Sequence, residues 1–411
     1  MDKAKALCIL LGKKYYSLSD LRYNAKAGYL LTKDELNDFM LLKEDLTEDG
    51  EEGFIDLPLK SFNSRHIFYV DGVYLMDIMT DYYRTLNDDY EENKKFFLER
   101  HISDIISSRI YSEIEGTLDI ENVPTTHKKI KEVLEAEKLT DRNDIIIKNM
   151  SSAMKYIVNE KPDFNKENLY KLYNILSNNC LDAEDSLNGG YYRDDRVSIG
   201  RYDGAPPEKI DGLMNSLFEF VNDKQNIEKY GDLIPHICHY YLVYVHPYFD
   251  YNGRTARMVS FWLTYINNFV AAPLFISEAI NENKKAYYQA LTDTRDANND
   301  LTYFLGYIYE TATKFSLVYK NLEGILKYLN KSGNFPSSTE KTYIKKILVH
   351  NSDGFFNAKA FIDYINNNIT KQAALKMLNR FTDYGVLSCT VNKKGENIFK
   401  VNDELITYKF N

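Results

Sequence analysis

Cysteine is scarce in this 411-residue sequence, and the four cysteines, Cys8, Cys180, Cys238 and Cys389, never stand in C-x-x-C spacing. That pattern excludes a disulfide framework and a zinc site and is typical of reduced thiols in a cytoplasmic protein. Long apolar runs are also missing near the N-terminus, where Ala6–Leu11 is shorter than a signal-peptide core or a membrane span. We therefore expect a cytoplasmic protein that does not enter a membrane.

A basic excess is absent as well, since 51 Lys and Arg stand against 60 Asp and Glu, for a formal charge of −9. This excludes a protein that coats nucleic acid with its whole surface, although one basic domain is compatible with it. The hydrophobic fraction of 44% and the charged fraction of 27% are those of an ordinary globular protein. At this length we expect two or three domains, each able to bury a core.

Apolar residues recur at helical spacing through residues 96–330, which predicts a mainly helical domain. The expected helices are 96–114, 145–158, 166–177, 209–222, 234–245, 255–266, 277–293 and 301–329. Strand character is nearly confined to Tyr191–Ile199, which predicts a β-hairpin of the kind that often forms an active-site flap. Residues 1–95 alternate short apolar runs with acidic stretches, and we expect a small mixed or helical region there.

The C-terminal residues 337–411 follow a linker, Lys331–Ser338, and have a different pattern of expected helices and strands. Three short helices at 340–348, 357–365 and 370–384, then two strands around Lys393-Lys394-Gly395, predict a winged helix-turn-helix domain. Residues 337–401 carry ten Lys and Arg against five Asp and Glu, including Lys371, Lys376 and Arg380 on the expected recognition helix. Such a domain could bind DNA through phosphate contacts, or dock a protein or a second copy of the chain.

The chemistry is concentrated in the twelve residues that begin at His246. His246 directly follows the apolar helix 234–245 and therefore lies at its C-terminal end, where Pro247 stops the helix. A histidine at that edge can be half exposed and can titrate near neutral pH, which suits a general base.

Two arginines, Arg254 and Arg257, stand three residues apart at the start of the next helix, directly after the turn dipeptide Asn252-Gly253. The helix dipole disfavours cations at that end, so their presence indicates that a multiply charged anion fills the space. A polyphosphate fits, with Asp250 holding an accompanying magnesium ion. Gly253 would let phosphate approach the backbone closely.

This segment resembles the signature of the Fic family, H-P-F-x-D/E-G-N-G-R-x-x-R, and reads here H-P-Y-F-D-Y-N-G-R-T-A-R. Tyr248 replaces the usual Phe, and Tyr251 replaces the usual Gly. Residues Gly189–Pro207 are similar to the flap of the family, and Ser277–Arg295 to the helix that helps to form its nucleoside pocket. The resemblance covers residues 95–325 and implies a mainly α, Fic-type fold.

The resemblance implies a protein adenylyltransferase, which moves AMP from ATP to a protein hydroxyl. His246 is implied to deprotonate that hydroxyl, and Asp250 to coordinate Mg²⁺ between the α- and β-phosphates. The residues implied to bind phosphate are Asn252 and Gly253 for the α- and β-phosphates and Arg254 and Arg257 for the outer ones.

Two further groups of residues are implied by the same resemblance. The flap strand, formed by Val197, Ser198 and Ile199, is implied to bind the target segment by strand addition. The residues implied to contact adenosine are Asn283, Tyr287 and Tyr288. The target is an unidentified protein and could include the chain itself.

An inhibitory motif of the family, [S/T]-x-x-x-E-[G/N], resembles the sequence that ends at Glu115-Gly116, within an expected helix at about 100–118. The resemblance implies that Glu115 pairs with Arg257 and keeps the γ-phosphate of ATP out of its productive position. Tyr111 stands where the motif has Ser or Thr, so the inhibition could be set differently.

Other functions remain open at this point. The chain could be a DNA-binding regulator in which the Fic fold acts as a sensor, or a Fic enzyme that uses UTP, transfers phosphate, or removes AMP with the help of Glu115. Gly253 argues against phosphate transfer, because the Doc toxins carry Lys at the corresponding position.

Overall fold

The computed structural model describes residues 1–27, 30–87, 102–123, 125–139, 141–269, 272–273, 276–351, 354–365 and 369–407. The chain divides into two compact units, Met1–Glu310 and Thr311–Asn411. Within the described ranges, no helix is both long enough and apolar enough to cross a membrane.

The first unit is mainly helical. Its helices are α1 (Lys3–Leu10), α2 (Leu18–Ala27), α3 (Lys33–Glu48), α4 (Val73–Asn87), α5 (Ile102–Ile120), α6 (His127–Glu135), α7 (Arg142–Glu160), α8 (Lys166–Ser177), α9 (Pro207–Asn222), α10 (Lys224–Tyr230), α11 (Ile234–Val245), α12 (Asn252–Ile266), α13 (Ser277–Glu282), α14 (Lys284–Asp296) and the beginning of α15 (Thr302–Lys331). Several start at a side-chain cap, in which Asp141, Asn165 or Asn283 accepts a hydrogen bond from the N–H three residues later.

The helical period located most of these elements, and α8 and α11 coincide with the expected bounds. The expected helix 277–293 is wrong as one element, because Asn283 leaves the helical conformation and caps α14. The expected helix 96–114 is displaced, since α5 runs from Ile102 to Ile120, while residues 96–101 lie outside the described part of the chain.

Residues 1–87 belong to the same compact unit as the helices that follow them. Here α1–α4 accompany an antiparallel hairpin of β1 (Phe54–Asp56) and β2 (Phe68–Val70). The side chain of Lys43 forms a buried ion pair with Asp300, whose carboxylate also accepts a hydrogen bond from the Tyr15 hydroxyl at 2.5 Å. Such a pair stabilises only while both partners remain, so it ties this region to the start of α15.

Helices α11 and α12 form the centre of the first unit and pack against each other. Both are buried on nearly every side. Helix α11 is apolar almost all round, whereas α12 also buries polar side chains, including those of Arg254 and Arg257. The Trp262 indole, fully buried, donates to the carbonyl of Pro162 at 3.0 Å. The loop between the two helices, residues 246–251, is therefore held at both ends by rigid elements.

The second unit contains the rest of α15 with α16 (Ser338–Asn351), α17 (Ala358–Tyr364) and α18 (Lys371–Asp383). Two strands, Leu387–Val391 and Asn397–Val401, form an antiparallel hairpin. Its core includes Phe361, Leu378, Phe381 and Phe399. Three helices and a hairpin stand in the expected order, and the winged-helix assignment stays a prediction. The unit also includes residues 311–330, which are the end of the expected helical domain 96–330.

Candidate active site

His246 lies at the C-terminal end of α11, as the sequence predicts. Its backbone is left-handed, with φ 55° and ψ 62°, and its N–H closes the last helical turn on the Leu242 carbonyl at 2.9 Å. A left-handed residue at this point ends the helix and turns the chain into Pro247. The imidazole is partly buried and lies at the start of the loop that leads to α12.

Arg193, a buried residue that the sequence analysis missed, holds this segment in place. Its Nε donates to the carbonyl of His246 at 2.8 Å, and its own N–H donates to the Pro247 carbonyl at 2.9 Å. The rest of the guanidinium donates to the carbonyls of Asp195 and Ala205, on either side of a hairpin. A buried guanidinium with all its hydrogen bonds made to backbone is a rigid support. The sequence signal was an arginine directly after the Tyr191-Tyr192 pair.

The His246 imidazole is neutral at pH 7. Burial lowers the pKa of His246 to about 4, and the charges of Arg193 and Arg295 act in the same direction, against the Val243 carbonyl and Asp250. A neutral ring has a free lone pair and can accept a proton, which is the state that a general base needs.

Titration of His246 tests this assignment. In the nucleotide-free chain labelled on histidine, the NMR signal that His246→Ala removes should titrate with a midpoint near pH 4. Because this pKa is lowered, the ring stays neutral above it and becomes protonated only as the pH falls through that value. A midpoint at or above the ordinary value of about 6.5 would show that burial does not control the ring.

The Asn252 side chain shapes the loop that follows His246. Its Oδ1 accepts from the Tyr248 N–H at 3.0 Å, and its Nδ2 donates to the Tyr248 carbonyl at 2.8 Å. Asn252 is buried, and these two bonds hold its amide against the backbone of the loop. The backbone N–H of Asn252 lies at the helix start, where the expected phosphate contact would form.

Helix α12 begins without a side-chain cap, directly after the loop. Its first backbone hydrogen bond at this end runs from the Thr255 N–H to the Tyr251 carbonyl at 2.9 Å. The N–H groups before Thr255, including that of Gly253, thus point out of the helix at its positive end. An uncapped helix start of this kind is suited to an anion.

The two predicted arginines both lie at this helix start. Nη2 of Arg254 is 3.3 Å from each carboxylate oxygen of Asp250, and the Arg254 side chain is 7% exposed. Arg257 is 2% exposed, and its Nε donates to the Thr117 hydroxyl at 2.7 Å. The structure therefore places both arginines at the helix start, as their spacing predicts, and brings Asp250 into contact with Arg254.

Glu121 forms an ion pair with Arg257. Its Oε1 accepts from Nη2 of Arg257 at 2.6 Å. Burial acts to raise the pKa of Glu121, but the positive charges of Arg257, Arg254 and Lys284 outweigh it and hold that pKa below its ordinary value. A Cβ added at Gly253 would stand 2.9 Å from this carboxylate oxygen. A carboxylate thus lies against the helix start where an anionic ligand is expected.

The prediction that Glu115 pairs with Arg257 is wrong. Glu115 faces away from that arginine, and its carboxylate is 2.9 Å from Nε2 of His127 on α6. The sequence did contain the correct signal, because Thr117-Leu-Asp-Ile-Glu121-Asn122 fits the inhibitory pattern at every fixed position. Glu115 fits the pattern less well, because Tyr111 stands where the pattern has Ser or Thr.

Helix α5, which carries Thr117 and ends just before Glu121, packs closely on α13. A Cβ at Gly116 would stand 2.5 Å from the backbone nitrogen of Glu278, so only glycine permits this approach. The buried carboxylate of Glu113 accepts from the Ser277 N–H at 2.9 Å and from its hydroxyl, and burial raises the pKa of Glu113 to about 7. These contacts fix the direction in which Glu121 reaches Arg257.

The three expected adenosine contacts have different surroundings. Asn283 is exposed, but its side chain caps α14 by accepting from the Ala286 N–H. Tyr287 is 1% exposed and its hydroxyl is 2.9 Å from the His239 ring, so it offers no open face to a ligand, and this expectation is wrong. Tyr288, which is 49% exposed, remains the accessible aromatic residue of the three.

The expected flap is a short hairpin of β3 (Ser198–Ile199) and β4 (Tyr202–Asp203). Val197 extends it, because its carbonyl accepts from the Gly204 N–H at 2.9 Å. The hairpin is tied to the end of α14, where Asp296 accepts from the Tyr202 hydroxyl and forms an ion pair with Arg201. Within the described residues this sheet has two strands, so β3 has one edge that no strand covers.

Asp250 is suited to a hard cation. Its carboxylate is 45% exposed, and one of its oxygens accepts from the Tyr251 N–H at 2.6 Å, which fixes the orientation of the group. Among the described residues, no three His, Cys, Asp or Glu side chains form a metal-binding cluster. A magnesium ion at Asp250 would therefore take its other ligands from phosphate and water oxygens, as Mg²⁺ commonly does.

Comparison with known proteins agrees with the resemblance seen in the sequence. Residues 163–264 match the model of the Fic/DOC family. The chain is 30% identical over 128 residues to the protein adenylyltransferase Fic of Aedes aegypti, covering 31% of this chain and 25% of that protein. It is 28% identical over 159 residues to the protein adenylyltransferase Fic of Drosophila mojavensis, covering 36% of this chain and 30% of that one.

The matched region thus spans between a quarter and a third of the length of these curated relatives. A crystal structure of a Fic family protein from Desulfovibrio desulfuricans G20 aligns with a TM-score of 0.47 and 14% identity, over 80% of this chain and 96% of that one.

Proposed function

Since the chain carries a domain of the Fic/DOC family, we propose that it is a protein adenylyltransferase, which transfers AMP from ATP to a Ser, Thr or Tyr hydroxyl. The observation that carries this proposal is the arrangement around α12. A neutral histidine lies at one end of the loop 246–251, and an uncapped helix start with two buried arginines lies at its other end. The names of the matched relatives support AMP as the transferred group.

The proposed reaction is a single displacement at the α-phosphorus of ATP. The target hydroxyl oxygen forms a bond to that phosphorus, the bond to the bridging oxygen breaks, and pyrophosphate leaves. His246 accepts the hydroxyl proton. Asp250 would hold Mg²⁺, which supplies positive charge to the phosphates when it is bound.

The protein contributes mainly position and charge to this reaction. The N–H groups of Asn252 and Gly253 would donate to phosphate oxygens, while Arg254 and Arg257 would neutralise the outer phosphates. Arg193 keeps His246 fixed relative to these phosphate-binding groups. Such preorganised groups stabilise the charge that develops on the leaving pyrophosphate.

The target segment is proposed to add as a strand to the uncovered edge of β3, which would bring its hydroxyl towards His246. Val197 and Ile199 are partly buried and Ser198 is exposed, so the edge has both apolar and polar positions. A segment of the chain itself could take this place, which gives the self-modification expected from the resemblance.

Glu121, in place of Glu115, is proposed to restrain the enzyme. Its carboxylate occupies one donor of Arg257 and lies against Gly253, so it competes with the outer phosphates for the same positive charges. ATP would bind productively only when the end of α5 moves or when Glu121 is removed.

Radiolabelled nucleotide tests the proposed function. Full-length protein with ATP and Mg²⁺ should incorporate label from [α-³²P]ATP into protein and none from [γ-³²P]ATP. The signal should exceed that from labelled UTP. Incorporation from the γ-position would instead identify a phosphotransferase, and no label from any nucleotide, even with Glu121 replaced, would contradict the proposal.

The C-terminal unit is proposed to be a winged helix, and DNA remains a candidate partner. Lys371 and Lys376 are exposed on α18, and Lys394 is exposed at the hairpin tip. Arg380, however, donates to the Tyr384 hydroxyl at 2.7 Å and pairs with Glu340 at 3.0 Å, so its charge is already balanced. This leaves a smaller basic surface for phosphate than the sequence count indicated.

A further inference from the structure

Tyr251 is the position at which this chain departs most from the pattern of its signature, and its backbone explains why glycine is usual there. It has φ 66° and ψ 7°, a left-handed conformation that disfavours a residue with a large side chain. A strained residue at a binding loop persists only when its side chain gains contacts that offset the strain.

The compensating contacts of Tyr251 are specific. The guanidinium carbon of Arg254 lies 3.4 Å from the centre of the Tyr251 ring, so the planar cation stacks on the aromatic face. Tyr251 is 2% exposed, so the protein encloses its ring. The tyrosine is therefore held at its backbone and along the face of its ring.

Arg254 is held but keeps a free donor. Its Nη2 lies 3.3 Å from both Asp250 oxygens, while its buried Nε has no hydrogen-bond partner among the described residues. A buried donor without a partner is costly, which indicates that a ligand completes the site. Since the stack already restricts the guanidinium, little side-chain freedom is left to lose when an anion binds.

We propose that Tyr251 is a positioning residue, which stacks on Arg254 and fixes it for the outer phosphates of the nucleotide. This inference rests on the proposed function, because it takes a nucleoside triphosphate as the ligand. It predicts that Tyr251 sets the affinity for ATP relative to AMP, since AMP lacks the phosphates that Arg254 would contact.

Calorimetric titration of the full-length chain with Mg²⁺ and a non-hydrolysable α,β-methylene analogue of ATP tests the proposal. The Glu121→Ala background removes the competing carboxylate. There Tyr251→Gly, which relieves the backbone but removes the ring, should weaken binding of the analogue about tenfold, an effect equal to about 1.4 kcal/mol. Binding of AMP should change less than twofold.

Two matched variants separate the stack from other effects. Tyr251→Phe keeps the aromatic face and loses only the hydroxyl, so its affinity should stay within about twofold of the parent. Tyr251→Leu keeps apolar bulk without an aromatic face and should resemble Tyr251→Gly. Tyr251→Leu also serves as the test if the glycine variant does not fold. In a double-mutant cycle, Arg254→Lys should cost less affinity when Tyr251 is already glycine.

The outcomes that overturn the proposal are distinct from those that overturn the function. Equal losses for the ATP analogue and AMP, or unchanged binding in Tyr251→Gly, would reject the role of Tyr251 alone. An analogue that binds neither the wild type nor Glu121→Ala would reject the proposed function, and this inference with it.

Discussion

Glu121→Ala is expected to raise incorporation of AMP by about ten- to a hundredfold over the wild-type chain at the same concentrations of ATP and Mg²⁺. The reason is the 2.6 Å contact between Glu121 and Arg257, which ATP must displace before its outer phosphates can bind. A hydrogen bond to a charged group contributes about 1.5–3 kcal/mol, and each 1.4 kcal/mol corresponds to a tenfold change in an equilibrium constant. Label from [α-³²P]ATP on the protein, followed over time, measures the effect.

Glu115→Ala is the matched control for this experiment. It removes the same side chain six residues earlier on the same segment, but there it breaks only the contact with His127. We expect its rate to remain within about twofold of the wild type, because this contact is partly exposed and such pairs contribute little. Activation by Glu115→Ala and not by Glu121→Ala would contradict the position that we assign to the restraint.

His246→Ala is expected to lower AMP incorporation by about 10²- to 10⁴-fold, which is the usual contribution of a positioned general base. The comparison belongs in the Glu121→Ala background, where the starting rate is high enough to measure the loss. The other two histidines of α11, His236 and His239, do not replace it, since both are fully buried and cannot meet an incoming hydroxyl.

Binding must be separated from chemistry in this variant. His246 is not among the groups proposed to bind phosphate, so His246→Ala should bind the non-hydrolysable ATP analogue with nearly unchanged affinity. Lost activity with retained binding assigns His246 to proton transfer. A variant that keeps more than a tenth of the activity would mean that the hydroxyl loses its proton elsewhere.

The central segment was predictable from the sequence because its chemistry is local. A helix that ends at His246, a turn and a second helix that begins near Arg254 place all the groups within one loop, and the period of apolar residues fixes both helices. No contact between distant parts of the chain was needed to find this site.

Contacts between segments that are distant in the sequence were harder to predict from it. Residues 115 and 121 differ by about 240° around an ideal helix, so the docking of α5 decides which acid meets Arg257. In the sequence, only the fit of residues 117–122 to the inhibitory pattern distinguishes the two acids. That docking depends on the close approach of Gly116 to Glu278, some 160 residues away in the chain. Burial of Tyr287 behind His239 and the support of His246 by Arg193 are likewise tertiary contacts without a local pattern.

The intact mass of the full-length Glu121→Ala protein after incubation with ATP and Mg²⁺ is the most direct test of the central claim. We expect a mass gain equal to one or more AMP groups, which His246→Ala in the same background abolishes. A gain of phosphate alone, or no gain either on the chain or on any added protein, would contradict an AMP-transferring site built from His246, Arg254 and Arg257.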